Sequence, residues 1–170
     1  KESISLDIKE NKGKEILRKL IKNSDVLIEN SRVGTMDKLG FGYKDVKKIN
    51  PKVIYCSITG FGTDGPYAKR GGFDLIAQGM SGLMSITGHP DSPPAKVGVP
   101  IADLNTGMFA MQGILSAYIH RLKNNEGQYL EVSLLESALA YTMYESSIYF
   151  TTGKISTPDG SAHRLTAPYQ

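Results

Sequence analysis

The chain has little of what marks several large classes of protein. A single cysteine, Cys56, among 170 residues leaves no internal disulfide framework and suits a reducing compartment. The three histidines, His89, His120 and His163, stand far apart and lack the spacing of a metal site, so no metal is expected. No apolar run approaches the roughly 20 residues needed to span a bilayer. No signal peptide opens the sequence, and the expectation is a soluble protein with no membrane partner. The lysines are scattered and the net charge is only +3, which argues against a nucleic-acid partner. That balance leaves room for an anionic small molecule. There is no internal repeat, low-complexity tract or clear linker.

What remains is ordinary globular composition, 40% hydrophobic and 22% charged, long enough for one domain or part of a larger one. Both ends read as internal to a longer chain: a lysine and then the strand-like SISLDI (3–8) at one, SAHRLTAPYQ at the other. Ile16, Leu17, Leu20 and Ile21 form the stripe of an amphipathic helix within 11–23. DVLIEN (25–30) reads as a short buried strand, 35–50 as two short helices broken by Gly40 and Gly42, and KVIYCSIT (52–59) as the best strand of the chain. A glycine-dense loop (60–72), a helix (73–88) and a proline-rich turn (89–98) follow. Met108, Met111, Leu115, Tyr118 and Leu122 then place a long helix at about 104–123. A strand at 129–135 and a helix at 136–150 complete the pattern, which predicts an α/β layer with a mostly parallel sheet.

Few residues carry chemistry in this pattern. GFGTDG (60–65) satisfies G-x-G-x-x-G after a strand, but Pro66 and further non-periodic residues follow where a dinucleotide site needs a helix. A glycine-rich turn is the better reading. Cys56, inside a strand with no histidine nearby, reads as a buried structural thiol. His120 suits the end of the long helix, His89 lies in a surface turn, and only His163 has a setting that could line a site. Asp103, in PIADLNTGMF (100–109), stands at the entrance of the long helix. Spacing and composition alone favour a helix cap. The same place has a chemical consequence, because a helix N-terminus favours the ionised carboxylate and is expected to lower its pKa. Such a carboxylate can attack an activated acyl group.

Five stretches, SISLDIK, DVLIENSRVGTMDKLGFGY, INPKVIYCSITGFGTDGPYAKRGGFDLIAQGMSGLM, TG with PPAKVGVPIADLNTG, and NNEGQYLEVSLLESAL, run in one order across nearly the whole chain. Together they resemble the family III CoA-transferases (CaiB/BaiF type), a group that includes formyl-CoA transferase, the carnitine CoA-transferases and α-methylacyl-CoA racemase. The resemblance implies part of a Rossmann-like, mostly parallel sheet with flanking helices, from the large domain of such an enzyme. Residues 1–150 would be the partial CoA-binding and catalytic domain, and 151–170 the start of the connection toward a small domain. It also implies an interlocked homodimer at full length and a 170-residue piece that need not turn over by itself. The reducing, soluble reading by itself sets a cytoplasmic expectation, with the mitochondrial matrix the alternative if a preceding segment carried a transit peptide.

By the same resemblance Asp103 is the catalytic aspartate. It would transfer CoA between an acyl-CoA and a carboxylic acid through an aspartyl–acyl anhydride and an aspartyl-CoA thioester. CoA thioester is then substrate, and no cofactor is expected. Leu6, Asp7 and Lys9 would lie near the nucleotide end of CoA. Asn30, Ser31, Arg32, Lys38 and Leu39 would flank the adenine and phosphates, with Lys9, Arg32 and Lys38 facing an anionic ligand. The loop from Tyr67 to Asp74 would reach the pantetheine and acyl portion, with Arg70 standing in for a lysine one position on in some members, and Phe73 beside it. Asp74 would be a second polar group of the site and a catalytic residue beside Asp103. The racemase branch carries His-Asp where this chain has Phe73–Asp74, and deprotonation of an α-carbon needs an acid–base pair that Phe73 cannot supply. GFDLIAQGMSGLMSITG (72–88) and the terminal GSAHRLTAPYQ look closest to succinyl-CoA-dependent transferases of dicarboxylates. A racemase-type member and a non-catalytic CoA- or nucleotide-binding module, with Asp103 only a cap, are the alternatives.

Overall fold

In the computed structural model, residues 2–169 are described; Lys1 and Gln170, the outer ends of the two expected spans, lie outside the described residues. The chain forms two compact units, one made of the chain up to Thr59 with Ala110–Val132, the other of Gly60–Phe109 with the chain from Ser133 onward.

In the first unit the amphipathic stripe becomes α1 (Asn11–Lys22), with Ile21 buried and Leu17 packed against the core. Strand β1 (Val26–Glu29) follows, then the short helices α2 (Thr35–Leu39) and α3 (Tyr43–Ile49), and strand β2 (Ile54–Thr59). The expected break between the helices falls at Gly40, whose φ of +82° is costly for any residue with a Cβ. β1 runs parallel to β2, in register from Val26 opposite Ile54 to Glu29 opposite Ser57. β2 lies at the centre of a three-stranded sheet, with β3 (Tyr129–Ser133) on its other side. The core joins Ile21, Phe41, Val46, Val53 and Tyr55. Tyr55 donates its hydroxyl to the Phe41 carbonyl at 3.2 Å, so the phenol is buried with its polar end satisfied.

The expected strand at 3–8 does not form. Ile4 is 63% exposed, and the segment ends in a turn where the Glu10 amide donates to the Asp7 carbonyl. A strand needs a neighbour to take its backbone hydrogen bonds, and β1 has β2. The segment is held differently: Asp7 passes so closely over Gly13 that a Cβ there would meet its carbonyl oxygen.

The second unit opens on the glycine loop, which does not lead into a helix at 60–65 and so is a turn, as the sequence favoured. Its ends cross: a Cβ on Gly60 would run into the Gly72 Cα, and one on Gly72 into the Gly60 Cα. Between them Arg70 stacks over Tyr67 at 4.3 Å, and Tyr67 packs on Phe61. The single helix expected at 73–88 is two, α4 (Asp74–Met80) and α5 (Leu83–Ile86), separated at Gly82 with φ +85°. The long helix α6 spans Ile101–Asn124 and gives Ile101–Phe109 to this unit. The strand expected to 135 stops at Ser133, which caps α7 (Leu134–Leu139) by accepting the Glu136 amide at 3.2 Å. Its hydroxyl also donates to the Glu136 carboxylate, a variation on the capping box. A 3₁₀ turn (Ala140–Thr142) separates α7 from α8 (Met143–Thr152), so this helix too is broken.

Candidate active site

Two helix starts in the second unit make the site. Pro100 precedes α6, and its carbonyl accepts the first intrahelical bond, from Leu104 at 3.0 Å. The helix therefore begins at Ile101, and Asp103 is its third residue rather than its cap. The capping is done from elsewhere. Oδ1 of Asp74 accepts the Ala102 amide at 2.8 Å and the Asp103 amide at 3.3 Å, two of the donors a helix mouth leaves without partners.

Asp74 is the first residue of α4 and is itself held. Gln78, one turn on and fully buried, donates its side-chain amide to Oδ2 of Asp74 at 2.7 Å and accepts the Val97 amide at 2.8 Å. Both oxygens of Asp74 are thus committed, and the segment before α6 is tied to the same group. Farther along, buried Asn105 donates to the Ser137 carbonyl, fixing the first turns of α6 against α7.

Asp103 lies exposed at this mouth. Partial burial of its carboxyl, and then the neighbouring charge of Asp74, hold its pKa above the ordinary aspartate range. This reverses the expected lowering. The amides that would have favoured the Asp103 anion are spent on Asp74, which contributes repulsion instead. Phe73, 70% exposed, stands immediately before Asp74 with no titratable group to offer.

The other candidates divide between the units. In the second, Arg70 is part of the Phe61–Tyr67 stack. His163 accepts the Leu165 amide, packs on Tyr169 and lines a 190 Å³ cavity with Arg164, Glu145 and Asp159. In the first unit, Leu6 is half-buried, Lys9 is exposed and donates its backbone amide to the Asp7 carboxylate, and Arg32 and Lys38 are exposed. Leu39 packs against the core. Asn30 donates its side-chain amide to the Ile58 carbonyl at 2.7 Å, and the Ser31 amide donates to Glu29. Cys56 is buried, and burial followed by the Glu29 charge pushes its thiol up, away from nucleophilic use. Among the described residues no cluster of three or more His, Cys, Asp or Glu could hold a metal, and no helix is long and apolar enough to cross a membrane.

Sequence reasoning missed Gln78 and Glu29. The Asp74–Gln78 pair was visible in principle, since residues four apart on a helix are neighbours. Glu29 gave no such local signal, because its partner Ser57 is distant in sequence.

Known proteins are similar to this chain in sequence and in architecture. The model of CoA-transferase family III matches residues 1–170. A succinate–glutarate CoA-transferase of Agrobacterium fabrum is 42% identical over 100% of this chain and 42% of its own length. A succinyl-CoA:glutarate CoA-transferase of Mus musculus is 40% identical over 100% of this chain and 39% of its own. The crystal structure of a CaiB/BaiF family protein from Brucella suis superposes with a TM-score of 0.93 at 43% identity, covering 99% of this chain and 44% of that one. The chain thus spans less than half the length of these relatives. With its whole length matched and its α/β architecture shared, the chain belongs to CoA-transferase family III.

Proposed function

We propose that this chain carries the acyl-transfer site of an enzyme that moves CoA between an acyl-CoA and a carboxylic acid, the acceptor being a small dicarboxylate. The observation that carries this reading is the placement of Asp103, exposed on the first turn of α6, with the helix mouth already capped by Asp74. A carboxylate freed from capping is available to attack. Its raised pKa makes the anion more basic than an ordinary aspartate, which favours nucleophilic attack once it is ionised.

The steps balance without an outside reagent. An Asp103 oxygen attacks the thioester carbonyl, the C–S bond breaks, and CoA thiolate leaves an aspartyl–acyl anhydride. The thiolate attacks the aspartyl carbonyl, releasing the donor carboxylate and leaving an aspartyl-CoA thioester. The acceptor carboxylate attacks that thioester, giving a second anhydride and CoA thiolate. Thiolate attack on the acceptor's acyl carbon forms the new acyl-CoA and restores Asp103. Asp74 is assigned a positioning role: it fixes the start of α6 and hence the direction of the Asp103 side chain. Leu6, Asp7, Lys9, Asn30, Ser31, Arg32, Lys38, Leu39, Arg70 and Phe73 are assigned to the CoA side. The full-length protein is proposed to work as a homodimer. Relatives named for succinate, glutarate and succinyl-CoA support a dicarboxylate, and Phe73 speaks against racemisation.

The test uses the full-length protein with succinyl-CoA, trapped with hydroxylamine or borohydride and mapped by mass spectrometry. The label is expected on the peptide containing Asp103. Label elsewhere, or normal transfer by Asp103→Ala, overturns the reading.

A further inference from the structure

The strongest unassigned feature outside the Asp74–Asp103 pair lies where β1 and β2 end. These strands are parallel, and ligands of open α/β sheets bind outside the carboxyl ends of such strands. Glu29 is the last residue of β1 and stands opposite Ser57 in the register. Its two carboxylate oxygens take different partners: Oε1 accepts the Ser57 hydroxyl at 2.5 Å, and Oε2 accepts the Ser31 amide at 2.8 Å. The next residue, Asn30, donates its side-chain amide to the Ile58 carbonyl at 2.7 Å. The chain leaving β1 is therefore pinned to the end of β2 at two points, and folded back on Glu29 at a third, before it reaches Arg32, which is exposed.

We propose that Glu29 is a positioning residue for CoA: its bridge between the Ser57 hydroxyl and the Ser31 amide sets the Asn30–Arg32 segment in the shape that receives the ligand. The inference rests on the CoA reading above and goes beyond it by assigning a residue that does not touch the ligand. Chemistry speaks against Glu29 as a ligand contact. An exposed carboxylate would repel phosphates, whereas here both oxygens are turned onto protein donors. Ser57 is 4% exposed, so without Glu29 its hydroxyl would lose its acceptor in a place water reaches poorly. The segment would then have to be ordered by the ligand, and binding would weaken by that cost.

The experiment measures CoA binding calorimetrically and steady-state transfer in the full-length protein and in Glu29→Ala, Glu29→Gln and Ser57→Ala, with melting temperature as a control for folding. Glu29→Ala is expected to raise the Kd for CoA and the KM for acyl-CoA about tenfold, with kcat at saturation and the acceptor KM within about twofold of the parent. Glu29→Gln keeps an acceptor for the Ser31 amide and a polar partner for Ser57, and is expected to recover most of that affinity. Ser57→Ala removes one of the two holds and is expected to cost about threefold, which decides the matter should Glu29→Ala not fold. Parent-like CoA affinity in folded Glu29→Ala, or in Ser57→Ala if Glu29→Ala does not fold, overturns the proposal, as does a Glu29→Gln variant as weak as Glu29→Ala. Failure of the parent protein to bind CoA overturns the functional reading instead, so the two failures are distinct.

Discussion

Asp103 shows how one residue can be poised by the group that takes its usual place. An aspartate in the first turn of a helix ordinarily gains from the free amides there. In this chain Asp74 takes them, and Asp103 is left beside a second carboxylate with its pKa raised. Folding therefore binds the Asp103 proton more tightly than the unfolded chain does. Ionised Asp103 opposes the fold above its folded-state pKa, and this opposition is relieved as pH falls through that value. Asp103→Asn is thus expected to abolish transfer, by on the order of a thousandfold or more, while raising the melting temperature at neutral pH. That gain should vanish as pH is lowered below the ordinary carboxylate range. A thermal-melt series against pH checks it, and a variant no more stable than the parent at neutral pH refutes it. The acid limb of kcat/KM should in turn lie above the ordinary aspartate pKa, and Asp74→Asn should move it to lower pH by removing one of its two causes. Asp103 could be singled out from sequence only by its register with flanking stretches, since its local signature is that of a cap. Neither the transfer of the capping role to Asp74 nor the rise in pKa could be read, because both depend on residues far apart in sequence meeting.

At the scale of elements, the loop from Gly60 to Gly72 is the part whose geometry is least negotiable. Each glycine excludes a Cβ by contact with the other's backbone, so no flexible side chain can move aside. Asp74 begins α4 directly after this crossing, so an error at the crossing is carried to the Asp74 carboxylate and the start of α6. Gly60→Ala and Gly72→Ala are expected to cost about 1–3 kcal/mol or more by overpacking and to reduce transfer. Gly71, where an added Cβ would meet nothing within 4 Å, is the control, and Gly71→Ala should stay within about 0.5 kcal/mol. Urea denaturation of the three variants checks this, and equal stabilities would remove the crossing from the account. Locality also decides which elements were legible. β2 was readable from Val53, Ile54, Tyr55 and Ile58, and α1 from its apolar stripe, because both signals are local. The strand expected at 3–8 does not form because pairing is not local, and 73–88 and 136–150 each read as one helix because small breaks, one at Gly82, do not interrupt apolar periodicity.

At the scale of the whole molecule, the surface carries more large apolar side chains than the interior needs. In the first unit Met111, Leu115, Ile119 and Leu122 of α6 are each about half exposed or more, Leu122 at 69%. In the second, Leu104 and Met108 of the same helix are exposed, and Phe150 and Ile155 reach 84% and 80%. Scattered exposed leucines are ordinary, but a row of them on one helix face, at 3–4 spacing, is the surface that proteins bury against a partner. The sequence showed the stripe and not its exposure, since periodicity marks a face that prefers burial without saying whether this chain buries it. The relatives it matches are more than twice as long, and the functional reading includes a homodimer. Both extra chain and a second copy would cover apolar surface. The isolated 170-residue chain is therefore expected to bind a hydrophobic dye such as ANS and to sediment with a concentration-dependent mass. The full-length protein should sediment as a dimer with little dye binding. Leu122→Glu, at the most exposed large apolar side chain of this helix, should reduce dye binding by the short chain without lowering its melting temperature. A short chain that is monomeric and dye-silent would show that these side chains need no cover, and a full-length monomer would remove the dimer from the proposed function while leaving the chemistry at Asp103 intact.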